Sequence, residues 1–310
     1  MLILATSDGI HLLEGSEWRR ELSGHDVRVV VSGESGWLAA VDGRSVWRRS
    51  AQGTWAELAS VDGDELTCAE AIPGGLLAES NGDHLLLGTT GAHLLRMSAT
   101  GELEAVQGFG RTPGRDEWYT PWGGPPEVRS IAVGGDGAWY VNVHVGGILR
   151  SADGGGTWAP TIDLHADVHQ VICPRSHQPD LVLAACADGL AMSRDGGVSW
   201  RLRDQGLHQT YCRAVAAVED CVIVSASDGP GGGHAGVFRA DLDDGWAGFR
   251  RCDGGLPFLA GNIDTNWLVA DDGVVALVFP DGSVFTSPDQ GTTWAQVGER
   301  RGTPRSLAWL

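Results

Sequence analysis

Apolar residues fall along the chain in short runs rich in Val, Ile, Leu and Ala, broken by Gly- and Asp-rich polar stretches. Within the runs, positions alternate or stay apolar, and no 3.6-residue period is sustained. This pattern predicts strands and almost no helix. One stretch reads as four consecutive strands, Val128–Val133, Ala138–Val145, Gly147–Arg150 and Thr157–Ile162. The longest apolar runs, such as Val27–Ser32 and Val274–Phe279, fall far short of the ~20 residues a membrane-spanning helix needs.

The strand groups repeat. Ser151-Ala-Asp-Gly-Gly-Gly-Thr-Trp158, Ser193-Arg-Asp-Gly-Gly-Val-Ser-Trp200 and Ser287-Pro-Asp-Gln-Gly-Thr-Thr-Trp294 align without gaps on the pattern S-x-D-x-G-x-[ST]-W. Glu14-Gly-Ser-Glu-Trp18, Ser50-Ala-Gln-Gly-Thr-Trp55 and Ala240-Asp-Leu-Asp-Asp-Gly-Trp246 are degraded copies, and Ser98-Ala-Thr-Gly-Glu-Leu103 lacks the Trp. The markers stand at 18, 55, 103, 158, 200, 246 and 294, a mean step of 46 residues, so 310 residues hold seven units. Four strands in about 45 residues make one blade of a β-propeller, which leaves only short, protected edges.

The ends of the chain complete the pattern. Arg305–Leu310 reads as an inner strand with no partners, while Leu2–Thr6, Ile10–Glu14 and Trp18–Leu22 supply the rest of a blade. The expectation is therefore an all-β chain, a single domain over 1–310. It would be one seven-bladed β-propeller with four-stranded antiparallel blades, the C-terminal strand completing the N-terminal blade.

Composition narrows the chemistry. At 42 % apolar and 20 % charged, the chain has enough apolar surface for a large core. The 22 basic residues, all Arg, face 40 acidic ones, for a net charge of −18, which argues against a nucleic-acid partner. The N-terminus has no basic region before its apolar residues, so it does not read as a signal peptide. Cys68, Cys173, Cys186, Cys212, Cys221 and Cys252 form no C-x-x-C pair and are expected as free, mostly buried thiols in a cytoplasmic protein. No membrane association is expected, and the chain is read as a monomer or weak homo-oligomer.

The S-x-D-x-G-x-[ST]-W units resemble the Asp-box, or BNR, repeat of sialidases, sortilin-type receptors, two-propeller xyloglucan hydrolases and photosystem II assembly factors. The resemblance covers nearly the whole chain. It implies that each box caps the turn between the third and fourth strands of a blade, and that Asp153, Asp195 and Asp289 are structural. The family spans enzymes, receptors and assembly factors, so function has to come from a site.

The site is expected at the channel mouth opposite the boxes. The inner strands start at Asp26-Val-Arg28, Glu127-Val-Arg129, Asp167-Val-His169, Tyr211-Cys-Arg213, Asn262-Ile-Asp264 and Thr303-Pro-Arg305. Arg28, Arg129, Arg213 and Arg305 would then ring the mouth. Converging guanidiniums suit a small anion, although each could instead pair with an acid of a neighbouring blade. His25, His165, His169 and His208 fall before or at inner strands, and His144 and His234 near connections between second and third strands. His144, His169, His208 and His234 are candidate ligands for Fe, Cu or Zn. The longer loop 107–127, with Trp118, Tyr119 and Trp122, is a candidate lid, with Trp118 as a substrate contact.

Three functions remain. The first is an intracellular, metal-assisted enzyme acting on a small anionic molecule, with Asp264 as acid or base and Tyr211 as a second catalytic residue. The second is a non-catalytic platform for a protein or peptide. The third is a glycan-processing hydrolase using carboxylates among Asp26, Glu127, Asp167 and Asp264. Arg28, Arg213 and Arg305, with Tyr211, could imitate a sialidase triad, but the F-R-I-P element is missing. No G-x-S-x-G or P-loop signature is present.

Overall fold

The computed structural model describes residues 1–15, 17–33, 36–72, 84–174, 179–243, 245–298 and 300–310. Ser16 and Asp244, which belong to two degraded repeats, lie outside the described residues.

Seven sheets of four antiparallel strands form a propeller. Blades 2 to 7 take their strands in chain order, beginning with inner strands Val27–Gly33, Leu66–Ile72, Val128–Val133, Val168–Ile172, Tyr211–Val218 and Leu268–Asp271. Blade 1 is composite. Its inner strand is Pro304–Trp309, followed outward by Leu2–Thr6, Gly9–Glu14 and Glu17–Glu21. Each inner strand packs on the next, and Leu268–Asp271 packs on Pro304–Trp309 to close the ring. Among the described residues, helix is limited to Gln107–Gly110 and one 3₁₀ turn at Arg115–Glu117.

Closure rests on register. Leu2 pairs with Trp309 and Leu4 with Leu307. The chain ends clasp each other, the Met1 amine donating to the Leu310 carbonyl and the Leu310 N–H to the Met1 carbonyl, both at 3.0 Å. Leu2, Leu4 and Leu307 pack with Ala276, Val278 and Val284 of blade 7 in one apolar cluster. On the outside, the Trp18 indole N–H of blade 1 donates to the Val297 carbonyl of blade 7 at 2.7 Å.

The three S-x-D-x-G-x-[ST]-W units fold identically between third and fourth strands. Asp153 accepts the Thr157 N–H at 2.9 Å and its hydroxyl at 2.7 Å, and the Ser151 hydroxyl accepts the Gly155 N–H at 2.9 Å. Asp195 and Asp289 repeat the arrangement. Three hydrogen bonds are thus closed inside a single turn. The hydrogen bonds from Thr157 hold the Asp153 carboxyl down to about 2. The turn glycines Gly154 and Gly155 sit at φ +67° and +92°, where a Cβ is disfavoured. Trp158 is buried against Trp139 and Phe109 between blades.

Two stability predictions follow from this packing. Leu307→Ala removes apolar contacts at the closing strand, and its unfolding free energy should fall by about 2–5 kcal/mol in a denaturant titration. His11 is 8 % exposed beside Arg20 and Arg301, and burial together with those charges brings its pKa down to about 4. The folded state therefore binds fewer protons than the unfolded one. Stability should decline as pH falls from 6.5 toward 4, by roughly 3 kcal/mol, and His11→Leu should flatten that window in thermal melts.

Candidate functional site

One backbone device recurs at the mouth. The pairing of inner and second strands slips by one residue in blades 1 to 5, leaving Arg305, Arg28, Thr67, Arg129 and His169 as the extra residue. In blade 6 the slip falls between Cys212 and Val215 and leaves Arg213 and Ala214 unpaired. A bulge frees one side chain from the pleat and re-aims it, here at the same level in six blades. Blade 7 differs: Asp264 lies in the connection before its inner strand.

The guanidiniums are not free. Arg305 donates to both oxygens of Asp26, at 2.8 and 3.0 Å, and Arg28 approaches Asp26 at 3.4 Å and Glu65 at 3.6 Å. Arg129 and Arg213 share Asp264 Oδ1, at 3.2 and 3.3 Å, and the Thr265 N–H donates to the same oxygen at 2.8 Å. Arg28, Arg213 and Arg305 thus each reach an acid of the neighbouring blade. Asp264, expected as an acid or base, is clamped by three donors and serves to hold the two arginines. A cavity of about 240 Å³ lies among Arg28, Thr67, Glu127, Arg129, Asp264 and Arg305.

Beside it lies a compact polar cluster. His144 and His169 are fully buried, and their Nε2 atoms stand 3.3 and 3.2 Å from Asp167 Oδ1. The His169 Nδ1–H donates to the Cys212 carbonyl at 2.6 Å. A carbonyl only accepts, so this nitrogen holds the ring proton and Nε2 presents a lone pair. Neither His169 Nε2 nor Asp167 Oδ1 finds a hydrogen-bond donor, although both are buried. Burial lowers the His169 pKa below its ordinary value, Asp167 partly opposing it. Burial pushes the Asp167 carboxyl up, but contacts from His144 and His169 outweigh it and hold the group well below the usual carboxylate range. Glu127 Oε1 stands 3.5 Å from His144 Nδ1, and Arg129 Nη1 3.1 Å from the same atom.

Aromatic rings flank both histidines. Trp122, 64 % exposed, meets His144 edge-on at 4.6 Å, and Tyr211 lies 4.6 Å from His169. Burial raises the Tyr211 pKa, so the phenol stays protonated at neutral pH.

Several sequence expectations are corrected here. Trp118 is buried, not a mouth residue: it packs on Phe109 and Arg115 in the core between blades 3 and 4, and Trp122 stands at the mouth instead. The 107–127 loop is thus half core, because its apolar residues fill the gap beside Trp158. The His208 Nε2–H donates to the His234 carbonyl at 2.6 Å and the ring packs on Phe238, while His234 pairs with Asp228 at 3.1 Å. Neither joins the one His/Asp group with metal-ligand spacing found among the described residues, which is His144, Asp167 and His169. Asp167 supplies the third position, and the D-x-H spacing across the bulge was its sequence signal.

A further element had no sequence signal. Thr265 and Asn266 cross the channel from blade 7. The Thr265 hydroxyl donates to the His169 carbonyl at 3.0 Å, Gln170 donates to Asn266 at 3.1 Å, and the Leu307 N–H donates to the Asn266 carbonyl at 2.7 Å. Asn266 adopts φ +60° to do so. The crossing separates the mouth from the rest of the channel.

No protein-family model and no curated protein sequence matches the chain. Among solved structures, the GH74 xyloglucanase from Xanthomonas campestris superposes with a TM-score of 0.61 at 16 % identity, over 96 % of this chain and 46 % of its own. The WD40 repeats of RRP9 superpose at 0.58 and 14 %, over 95 % of this chain and 84 % of theirs. The computationally designed protein Ika8 gives 0.55 and 14 %, over 86 % of this chain and 72 % of its own. An enzyme, a WD40 protein and a design resemble the chain equally, so the likeness shows the propeller fold alone, and the chain spans less than half the xyloglucanase.

Asp264→Asn removes the anion shared by Arg129 and Arg213. Calorimetric titration with inorganic phosphate should show about a tenfold gain in affinity over wild type, the worth of one freed charged hydrogen-bonding pair. An unchanged isotherm would show that other acids neutralise the two arginines.

Proposed function

We propose that the channel mouth is a metal centre, with His144, Asp167 and His169 as its protein ligands, and that the protein is a metal-dependent enzyme for a small anionic substrate. One observation carries the reading. Two buried atoms, Asp167 Oδ1 and His169 Nε2, face each other at 3.2 Å and neither makes a formed hydrogen bond, while His144 Nε2 stands 3.3 Å from the same oxygen. Burying two such atoms unsatisfied is costly, and a shared cation removes the cost. A proton disfavoured on His169 leaves a metal ion as the natural occupant. The spacings suit it: ligands at about 2.1 Å from one ion are about 3.0–3.4 Å apart across an octahedral or tetrahedral edge. Two imidazoles and one carboxylate fit Fe, Zn or Cu and leave coordination positions open. The Cys212 carbonyl orients His169, and Glu127 is placed to orient His144.

The charge balance supports an anionic substrate only once the ion is bound. Asp26, Glu65, Glu127, Asp167 and Asp264 outnumber Arg28, Arg129, Arg213 and Arg305 by one. A divalent ion reverses that sign in a poorly screened site. When bound, the ion supplies Lewis acidity. Tyr211, protonated and beside His169, is placed to donate a proton to the substrate. Arg129 and Arg213, held by Asp264, orient it, and Trp122 shields it from water. The resemblance of the three turns to Asp-box repeats is compatible with an enzyme on this scaffold.

Elemental analysis after loading with Fe(II), Zn(II) or Cu(II) should find about one ion per chain. His169→Ala and Asp167→Asn should each lower retention at least tenfold, while His208→Ala should retain it. Because burial keeps His169 neutral below the ordinary imidazole value of about 6.5, the ion should stay bound as pH falls through 6.5 and be lost only at more acid pH. Cu(II) should quench the fluorescence of Trp122, and Trp122→Phe should abolish that component. Less than about 0.1 ion per chain with every metal would leave the binding-platform reading in its place.

A further inference from the structure

We propose that Arg115 anchors a carboxylate in a pocket between blade 3 and the 107–127 loop, and that this pocket, apart from the metal cluster, takes a small monocarboxylate. The pocket holds about 360 Å³, at the lower end of the range for small-molecule sites. The turn joining His84–Thr89 to Leu94–Met97 supplies part of its wall. Gly91 and Ala92 sit in that turn at φ +75° and +51°, in the left-handed region. Their consecutive carbonyls both accept from Arg115, Ala92 from Nη1 at 2.7 Å and Gly91 from Nη2 at 3.0 Å. The guanidinium also lies over the Trp118 ring at 4.9 Å. Its position is thus fixed before any ligand arrives.

Fixing the guanidinium does not exhaust it. It has five N–H donors in a planar fork, and these contacts use two. The other three meet no acceptor among the described residues, although Arg115 is half-buried. Nor is its charge answered. Its neighbour Glu117 stands 3.7 Å from His165 instead. Burial lowers the Arg115 pKa and no acid opposes it, whereas Asp264 opposes the same effect at Arg129. The group stays protonated all the same. A half-buried cation without a counter-ion is costly, and the free edge of the fork matches a carboxylate in two parallel hydrogen bonds.

The rest of the wall limits what that carboxylate belongs to. Val61, Leu95, Ala105 and Val106 offer hydrocarbon beside the polar Gln107. Asp62 and Asp64 lie in the same wall, Asp64 held by His93 at 2.6 Å. A second negative charge would meet these two acids, so a dicarboxylate or a phosphate ester fits poorly.

The test uses the full chain, stripped of metal with a chelator so that the mouth cannot coordinate a carboxylate, and follows hexanoate by calorimetry. One hexanoate should bind per chain. Hexanamide, which keeps the shape but not the charge, should bind at least about tenfold more weakly. Adipate, with its second carboxylate facing Asp62 and Asp64, should bind about threefold more weakly. Arg115→Gln should cost hexanoate at least about tenfold and remove its advantage over hexanamide. If that variant melts well below wild type, Ala105→Trp serves instead. It stands at an exposed position, leaves Arg115 and its carbonyl contacts in place, and should block the pocket and abolish binding. No saturable binding below about 10 mM, or equal affinity for hexanoate, hexanamide and adipate, would overturn the proposal. So would binding that both Arg115→Gln and Ala105→Trp leave intact, which would put the carboxylate on the mouth arginines.

Discussion

The pairing of Pro304–Trp309 with Leu2–Thr6 is the constraint on which the rest of the molecule depends. A propeller without that pairing is an open stack whose first and last blades each expose an apolar flank. With it, Leu2, Leu4 and Leu307 are buried against blade 7, and Arg305 reaches Asp26 across the seam. The mouth exists only because the ring is shut. Its residues come from all seven blades, and those of blades 1, 2 and 7 meet only through this closure.

Within the closed ring, the chemistry is set by a repeated backbone defect. One extra residue near the start of the inner strand turns a side chain out of the pleat in six blades. Arginine at four of these positions, threonine at one and histidine at one make a mouth from a single local geometry. Acids before the strands, Asp26, Glu65, Glu127 and Asp167, then meet those side chains in a confined space. Pairing there is electrostatically stronger than on the surface, and an unpaired acceptor is correspondingly costly. That is why the Asp167–His169 pair, two buried acceptors side by side, stands out in the ring.

Much of the fold was legible in the chain because it depends on local patterns. Short alternating runs specify strands, the S-x-D-x-G-x-[ST]-W turns close on their own hydrogen bonds, and a repeat of about 46 residues counts the blades. The alignment of Arg28, Arg129, His169, Arg213 and Arg305 also read correctly as a shared level, since equivalent register gives equivalent height. The choice between Trp118 and Trp122 did not read, because both are aromatic residues of one loop and only packing decides which fills the gap beside Trp158. His208 and His234 lie near the same kinds of connection as His144 and His169, but one blade too far round to join His144.

The sequence by itself determined the number of blades, the identity of the turn residues and which strand starts carry charge, all consequences of interactions within one repeat. Only the tertiary structure decided which charges meet. Arg129 and Asp264 are 135 residues apart and belong to different blades, and Asn266 reaches Gln170 across the channel. Such contacts depend on ring curvature and on where bulges aim side chains, and neither is written in the spacing of residues along the chain.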